Sequence, residues 1–276
     1  MLLIDSCWLK FINETLMTTQ QGLGQIFFCG DVHGNFEHII DAVKVHQPAA
    51  IVLLGDIQAQ RPLEQELAEI LDKTEVWFIH GNHDTDSEKD YDNLFGSALA
   101  DRSLNGRVMK IAGVRVAGLG GVFRKKVWAP SEPWGALSTN EFMRSIQRGN
   151  RWRDGLPLRH RSTIFRDTYE LLAKQGADVL VTHEAPSVHP HGFVALDELA
   201  KSLKVHTTFH GHHHDSLDYR PHWAKLGHQA FGVGFRGITA LDGTVIRAGD
   251  YDTVSRGVVK KLAKNETYSN LVGKAR

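Results

Sequence analysis

The sequence predicts an α/β fold whose strands form a largely parallel sheet with helices on both faces. The chain has 276 residues, of which 42% are apolar and 23% charged, so it can bury a sizeable core. Short apolar runs alternate with helical stretches along the chain. These runs are continuous rather than alternating, which is typical of parallel strands that are covered on both faces.

The first third of the chain establishes this pattern. The spacing of Phe36, Ile39 and Val43 predicts an amphipathic helix that Pro48 ends, and Pro62 stands where a second helix can begin. The predicted elements, in order, are strand 25–29, helix 35–47, strand 49–54, helix 62–72 and strand 75–79.

Hairpins become more frequent in the remainder of the chain. The pairs Ala112-Gly113 and Asp242-Gly243 predict tight turns between neighbouring strands. The predicted elements here are strands 107–111 and 114–118, helix 163–174, and strands 178–182, 205–209, 229–233, 237–241 and 244–248.

We expect one domain over residues 25–250, with an N-terminal extension before it and a polar tail after it. Residues 1–24 form the extension, which is predicted to be a packed or loosely attached amphipathic helix, or to precede a true start at Met17. Attachment of this helix to a membrane surface is disfavoured because its polar face carries few basic residues. Residues 251–276 form the tail.

Composition excludes several classes of protein. Lysine plus arginine (32) equals aspartate plus glutamate (32), which argues against a protein that coats nucleic acid with its whole surface. Two cysteines, Cys7 and Cys29, are too few for a disulfide framework. The longest apolar run, 49–54, is too short for a membrane span, which needs roughly 20 residues. The 16 histidines raise the question of a metal site.

Five predicted strands end in loops that present metal-ligating side chains. The carboxyl ends of parallel strands meet at one edge of a sheet, where ligands bind. We therefore expect these side chains to lie together, and their mixture of carboxylate, amide and imidazole groups suits manganese, iron or zinc. The candidates are Asp31, His33, Asp56, Asn82, His83, His183, His212 and His214.

The order of these loops resembles the calcineurin-like metallophosphoesterases over about 185 residues. The matching blocks are Gly30-Asp31-Val32-His33-Gly34, Gly55-Asp56, Gly81-Asn82-His83-Asp84, Thr182-His183-Glu184-Ala185-Pro186 and Gly211-His212-His213-His214. The resemblance implies a β sandwich flanked by helices, with the site at the carboxyl ends of the strands. It also implies hydrolysis of phosphate esters.

The resemblance further implies two divalent metal ions that share one carboxylate. The first ligand set is Asp31, His33, Asp56 and His214. The second ligand set is Asp56, Asn82, His183 and His212. A hydroxide or water between the ions would attack phosphorus in line, and His83 would stabilise the transition state or protonate the leaving oxygen.

The sequence differs from one branch of the family at three motif positions. Ser/Thr protein phosphatases and their diadenosine-tetraphosphatase relatives continue the second block with an aspartate and an arginine, but Ala59 and Gln60 stand at these places. The third block ends in Asp84 where that branch has glutamate. The sequence therefore resembles the phosphodiesterase-type part of the family rather than the protein phosphatases.

A basic, tryptophan-containing insert is predicted at about 123–161. Residues 123–166 hold ten basic and three acidic side chains, and three of the six tryptophans, Trp128, Trp134 and Trp152, lie here. The insert is interpreted as a solvated flap anchored by its tryptophans, as a lid for a small phosphorylated or nucleotide substrate, or as a contact for a nucleic-acid strand. Arg124, Arg148 and Arg151 are its candidate substrate-binding residues.

The leading hypothesis is a cytoplasmic, dinuclear-metal-dependent hydrolase of phosphodiesters or phosphomonoesters. The alternative is a nuclease, or a nucleotide pyrophosphatase of the dinucleoside polyphosphate type, that uses the same metal site. A non-catalytic scaffold is disfavoured because the chain carries all the ligand residues and His83. We expect no membrane span.

Overall fold

The computed structural model describes residues 26–130 and 135–252. The expected N-terminal extension, Trp134 and the tail beyond residue 252 lie outside the described residues. The strands are β1 Ile26–Cys29, β2 Ala50–Leu54, β3 Glu75–Ile79, β4 Arg107–Ile111, β5 Val114–Leu119, β6 Val179–Thr182, β7 Thr207–His210, β8 Gln229–Gly232, β9 Ile238–Ala240 and β10 Val245–Arg247. The α-helices are α1 Glu37–His46, α2 Leu63–Glu66, α3 Glu88–Phe95, α4 Thr139–Ser145, α5 Arg166–Ala173, α6 Val194–Leu203 and α7 Trp223–Leu226.

The strands form two mixed sheets of five strands each. The first has the order β10-β9-β1-β2-β3 and the second has the order β4-β5-β6-β7-β8. Strands β1, β2 and β3 are parallel, as are β5 to β8, while β4, β9 and β10 pair antiparallel at the edges. The largely parallel arrangement expected from the apolar pattern is divided between two sheets, and the sandwich expected from the family resemblance is confirmed.

The main core lies between the two sheets. The ring of Phe28 on β1 stacks on that of Phe209 on β7 with centroids 3.8 Å apart, which joins the two inner faces. Helix α1 covers the outer face of the first sheet, and α5 and α6 cover that of the second. Because both faces of each sheet are buried, the central strands are continuous apolar runs rather than alternating ones.

Most predicted strands match the structure to within two residues, whereas the helices differ more. The predicted helix 62–72 is α-helical only over Leu63–Glu66, because the backbone bonds of Ile70 and Lys73 then reach back three residues and wind more tightly. The predicted helix 163–174 begins only at Arg166, since Thr163 instead pairs with Val122. Helices α3, α4, α6 and α7 were not expected from the sequence.

Within the ranges that the structure covers, no helix combines the length and the apolar character that a membrane span requires.

Candidate metal centre

The predicted metal-ligating residues lie directly after five parallel strands. The loop after β1 carries Asp31 and His33, and the loop after β2 carries Asp56. The remaining strand ends supply Asn82 and His83 after β3, His183 after β6, and His212 and His214 after β7. The backbone amide of His212 donates to both carboxylate oxygens of Asp31 at 2.9 and 3.0 Å, which joins the two sheets at this edge.

Four of these residues form a first cluster. Asp31, His33, Asp56 and His214 each offer one donor atom, and these atoms all lie within 4.8 Å of one another. The Nε2 atoms of His33 and His214 are 3.2 Å apart, and His33 Nε2 is 3.9 Å from Asp56 Oδ2. This spacing is compact enough for one cation to contact all four residues.

A second cluster shares Asp56 with the first. Asp56, His183 and His212 also offer donor atoms within 4.8 Å of one another. His183 Nε2 is 3.4 Å from Asp56 Oδ1 and 3.4 Å from the side-chain oxygen of Asn82. The two oxygens of Asp56 thus face different clusters, Oδ2 toward His33 and Oδ1 toward His183. This arrangement suits a carboxylate that bridges two cations.

Hydrogen bonds determine which histidine nitrogens are left for a metal ion. His183 Nδ1 donates to the Leu54 carbonyl at 2.8 Å, and His33 Nδ1 donates to Gln58 Oε1 at 2.6 Å, so the Nε2 atom of each ring remains free to bind metal. His212 Nδ1 is buried and has no hydrogen-bond partner among the described residues. A buried ring nitrogen without a partner, on a histidine that clusters with Asp56, is available to bind a cation.

The electrostatics of the clusters also fit bound cations. Burial lowers the pKa of His212 and of His214 to about 3, so both rings are neutral and able to bind metal near pH 7. Burial, together with the charge of Asp56, raises the pKa of Asp31 to about 7. Burial acts to lower the pKa of His183, but its charge interaction and hydrogen bond with Asp56 outweigh burial and raise it to about 10. Without metal, a proton on His183 therefore compensates the Asp56 charge.

The backbone around the clusters is strained and tightly packed. Gly55 has φ +97°, and a side chain there would clash with His183 Nδ1, while a side chain at Gly81 would clash with Asp56 Oδ1. Left-handed backbone, which L residues rarely adopt, recurs at four candidate ligands. These are His33, Asp56, His212 and His214, with φ between 43° and 72°.

His83 lies beside the centre and has a partner that sequence reasoning missed. Its backbone amide donates to Asp56 Oδ1 at 2.8 Å, and its ring centroid is 5.5 Å from that of His33. Its Nδ1 atom is 2.5 Å from Asp86 Oδ2. Burial acts to lower the pKa of His83, but Asp56 and Asp86 outweigh burial and raise it. The only sequence signal for Asp86 is its position three residues after His83.

Two more carboxylates were also not predicted. Asp84 is buried and accepts hydrogen bonds at 2.8 Å from the backbone amides of Ile57, Gln58 and Gly81, which ties the loops after β2 and β3 together. Glu184 accepts from the backbone amide of Phe123 at 3.1 Å, and its Oε2 is 3.8 Å from His212 Nε2. Glu184, His212 and His213 form a third group with donor atoms within 4.8 Å of one another.

The three arginines predicted to bind substrate have different surroundings. Arg124 donates to Thr163 Oγ1 and Ser162 Oγ, both at 3.1 Å. Arg151 donates to the backbone carbonyl of Met143 at 3.2 Å, so it supports α4. Arg148 is exposed, and its side chain forms no hydrogen bond or ion pair with the part of the chain that the structure describes.

Arg124 is the one of these three that adjoins the metal centre. Burial and the neighbouring charge of Arg159 lower the pKa of Arg124, and the carboxylates of Asp86 and Glu184 act in the opposite direction. Asp86 contacts His83, and Glu184 lies beside His212. Arg124 therefore interacts through its charge with carboxylates that lie beside both histidines, while Ser162 and Thr163 hold its guanidinium.

The described tryptophans of the insert serve packing. The guanidinium carbons of Arg153 and Arg161 lie over the Trp152 ring, 4.1 and 4.9 Å from its centroid, and Arg153 also forms an ion pair with Asp92 on α3. The Trp128 ring packs edge-on against Phe123 and Tyr169. These contacts support the anchored-flap interpretation, and the expected nucleic-acid contact finds no support.

The chain is similar to known proteins over most of its length. A family model described as "Calcineurin-like phosphoesterase" matches residues 24–216. An uncharacterized protein of Haemophilus influenzae is 39% identical over 221 residues, which is 80% of this chain and 96% of that protein.

Solved structures with a similar fold have low sequence identity. The crystal structure of TT1561 from Thermus thermophilus is 13% identical, has a TM-score of 0.48, and covers 81% of this chain and 97% of its own. A second crystal structure is 12% identical, has a TM-score of 0.49, and covers 81% and 98%. Both scores lie below 0.5, so the family assignment rests on the sequence matches.

Proposed function

The chain belongs to the calcineurin-like phosphoesterase family, and from that premise we propose a phosphoesterase that holds two divalent metal ions around Asp56. The observation that carries the proposal is the orientation of this carboxylate, whose two oxygens face two separate clusters of donor atoms. Asp31, His33 and His214 would complete one site. Asn82, His183 and His212 would complete the other. The donor set favours manganese, iron or zinc.

A bound pair of such ions would supply Lewis acidity. It would polarise the phosphoryl group and lower the pKa of a bound water to about 7. The chain itself would supply orientation and further charge. Asp84 holds the loops of Asp56 and Asn82 in register, and Arg124 would bind phosphoryl oxygens from the rim. His83 would stabilise the transition state or protonate the leaving oxygen.

The substrate class we propose is a small phosphorylated compound or nucleotide, with a phosphodiester favoured. Two guanidinium groups of the chain itself already lie over the Trp152 ring, where a stacked nucleobase would lie, which weakens the nuclease alternative. Ala59 and Gln60 replace the acidic and basic residues of the protein phosphatases, which weakens that alternative. A cytoplasmic location fits the buried free thiol of Cys29.

The direct experiment is hydrolysis of bis-p-nitrophenyl phosphate beside p-nitrophenyl phosphate. Metal-stripped protein would be assayed alone and after addition of manganese, iron, zinc or magnesium. We expect no activity without metal and diester cleavage after addition of manganese. The Asp101→Asn variant, which alters an exposed carboxylate outside the clusters, is the matched control for Asp56→Asn. Equal activity of the Asp56 variant and the control would contradict the proposal, and cleavage of the monoester alone would contradict the diester preference.

A further inference from the structure

The His83–Asp86 pair is the strongest feature of the site that the family assignment does not explain. We propose that Asp86 is a positioning residue that holds the His83 ring so that its Nε2 atom delivers a proton to the leaving oxygen of the ester. This inference rests on the proposed phosphoesterase activity and adds a residue to it.

The hydrogen bond fixes which nitrogen of His83 is available. An ionised carboxylate has no proton to donate, so at 2.5 Å from Asp86 Oδ2 the Nδ1 atom must be the donor. The other ring nitrogen, Nε2, is then the one that can act on a ligand. Asp86 ends the 3₁₀ turn His83–Thr85, and this turn brings the side chains of residues 83 and 86 to the same side.

The backbone anchors this pair to the metal centre. The amide of His83 donates to Asp56 Oδ1 at 2.8 Å, and that oxygen also faces His183. The His83 and His33 rings are 5.5 Å apart between centroids. The histidine thus approaches the site from the β3 loop, while Asp86 restrains its ring through Nδ1.

Stability alone does not account for the pair. The side chains of His83 and Asp86 are 43% and 53% exposed, and exposed ion pairs contribute little to folding. The position three residues after Asp56, where protein phosphatases carry an aspartate, holds Ala59, which is buried in the core. Within the described residues, Asp86 is the only carboxylate that pairs with the His83 ring.

The proton balance of the step is simple. The step begins with both ring nitrogens of His83 protonated. The oxygen of water forms the new bond to phosphorus, one proton of that water passes to solvent, and the bond between phosphorus and the leaving oxygen breaks. The leaving oxygen keeps the electron pair and takes the proton from His83 Nε2. His83 is left neutral with its remaining proton on Nδ1, where Asp86 accepts it.

Esters with different leaving groups test this proposal. With the manganese-loaded chain, the phenyl ester should lose about a hundredfold in kcat in Asp86→Ala, whereas the p-nitrophenyl ester should lose less than about fivefold, because its leaving group needs no proton. KM should stay within about twofold. The His83→Ala variant should show the same contrast, and the double variant should be no slower than His83→Ala. Glu88→Gln, which removes a nearby exposed carboxylate, is the control.

A second measurement separates this proposal from the proposed activity. ¹⁵N NMR of the full chain, recorded at a pH above the pKa of His83 so that the ring is neutral, should show its proton on Nδ1. The signal is assigned by its absence in His83→Ala, and this preference should disappear in Asp86→Ala but not in Glu88→Gln. Equal losses on both esters, or an unchanged tautomer in Asp86→Ala, would overturn the positioning role. A wild-type chain that cleaves no ester yet retains the Nδ1 tautomer would refute the phosphoesterase proposal while supporting the Asp86–His83 contact.

Discussion

The strand-end loops and the basic insert are both rich in side chains that can bind phosphate or metal, but the fold uses them differently. At the strand ends, Asp31, Asp56 and His183 are buried and converge on a small volume. In the insert, Arg151 donates to a backbone carbonyl of the insert itself, and Arg153 pairs with a carboxylate on α3. The residue types at the strand ends therefore predict where the candidate metal site lies, whereas the basic composition of the insert does not predict a binding site.

Matched carboxylate-to-amide substitutions in the two regions test this contrast most strongly. Asp56→Asn should lower kcat/KM by about a thousandfold or more and reduce the content of both metals together, because one carboxylate serves both clusters. Asp92→Asn, which removes the charge of the closer of the two carboxylate partners of Arg153, should leave metal content and kcat/KM within about twofold. Elemental analysis and steady-state kinetics measure both effects. Loss of only one metal in Asp56→Asn would refute the proposal that Asp56 binds both metal ions.

Trp152→Ala tests the packing role of the insert. The ring is covered by two guanidinium groups and packs edge-on against Tyr91, so its loss should lower the free energy of unfolding by about 2–3 kcal/mol. Urea unfolding measures the loss. The kcat for a small ester should remain unchanged. A large fall in substrate affinity with normal stability would instead identify Trp152 as a binding surface.

Paired arginine variants test which basic residue of the insert reaches the site. Arg124→Ala should raise KM about tenfold, since Ser162 and Thr163 fix its guanidinium and it interacts through its charge with Asp86 and Glu184 beside the clusters. Arg148→Ala should change KM by less than about twofold, because this side chain is exposed. Similar effects in both variants would indicate that only the overall charge of the insert matters.

The smallest expected effect concerns His160 in the insert. Burial, followed by the charges of Arg124, Arg159 and Lys126, lowers its pKa to about 4. Because these cations disfavour the protonated ring, Arg159→Ala should raise the pKa of His160 by roughly half a unit, and added salt should act in the same direction. NMR titration of the ring protons measures the shift. An unchanged pKa would show that Arg159 lies too far from His160 for its charge to affect the ring.

Much of the fold and the convergence of the candidate ligands could be predicted from sequence, because both follow from continuous apolar strands and the residues that end them. The division into two sheets could not be derived from that pattern, since strands buried in one sheet or in two have the same apolar composition. Asp86 was missed because its contact with His83 depends on a 3₁₀ turn that has no distinctive residue. The contact of Arg151 with the carbonyl of Met143 could not be predicted, because its partner is a backbone atom that any residue type could supply.

The most direct test of the central claim is a crystal structure of the manganese-loaded protein with anomalous scattering. We predict two peaks about 3.5–4 Å apart on either side of Asp56, one beside His33 and His214 and the other beside His183 and His212. A single peak, or a peak between Glu184 and His213 with none at Asp56, would contradict the account.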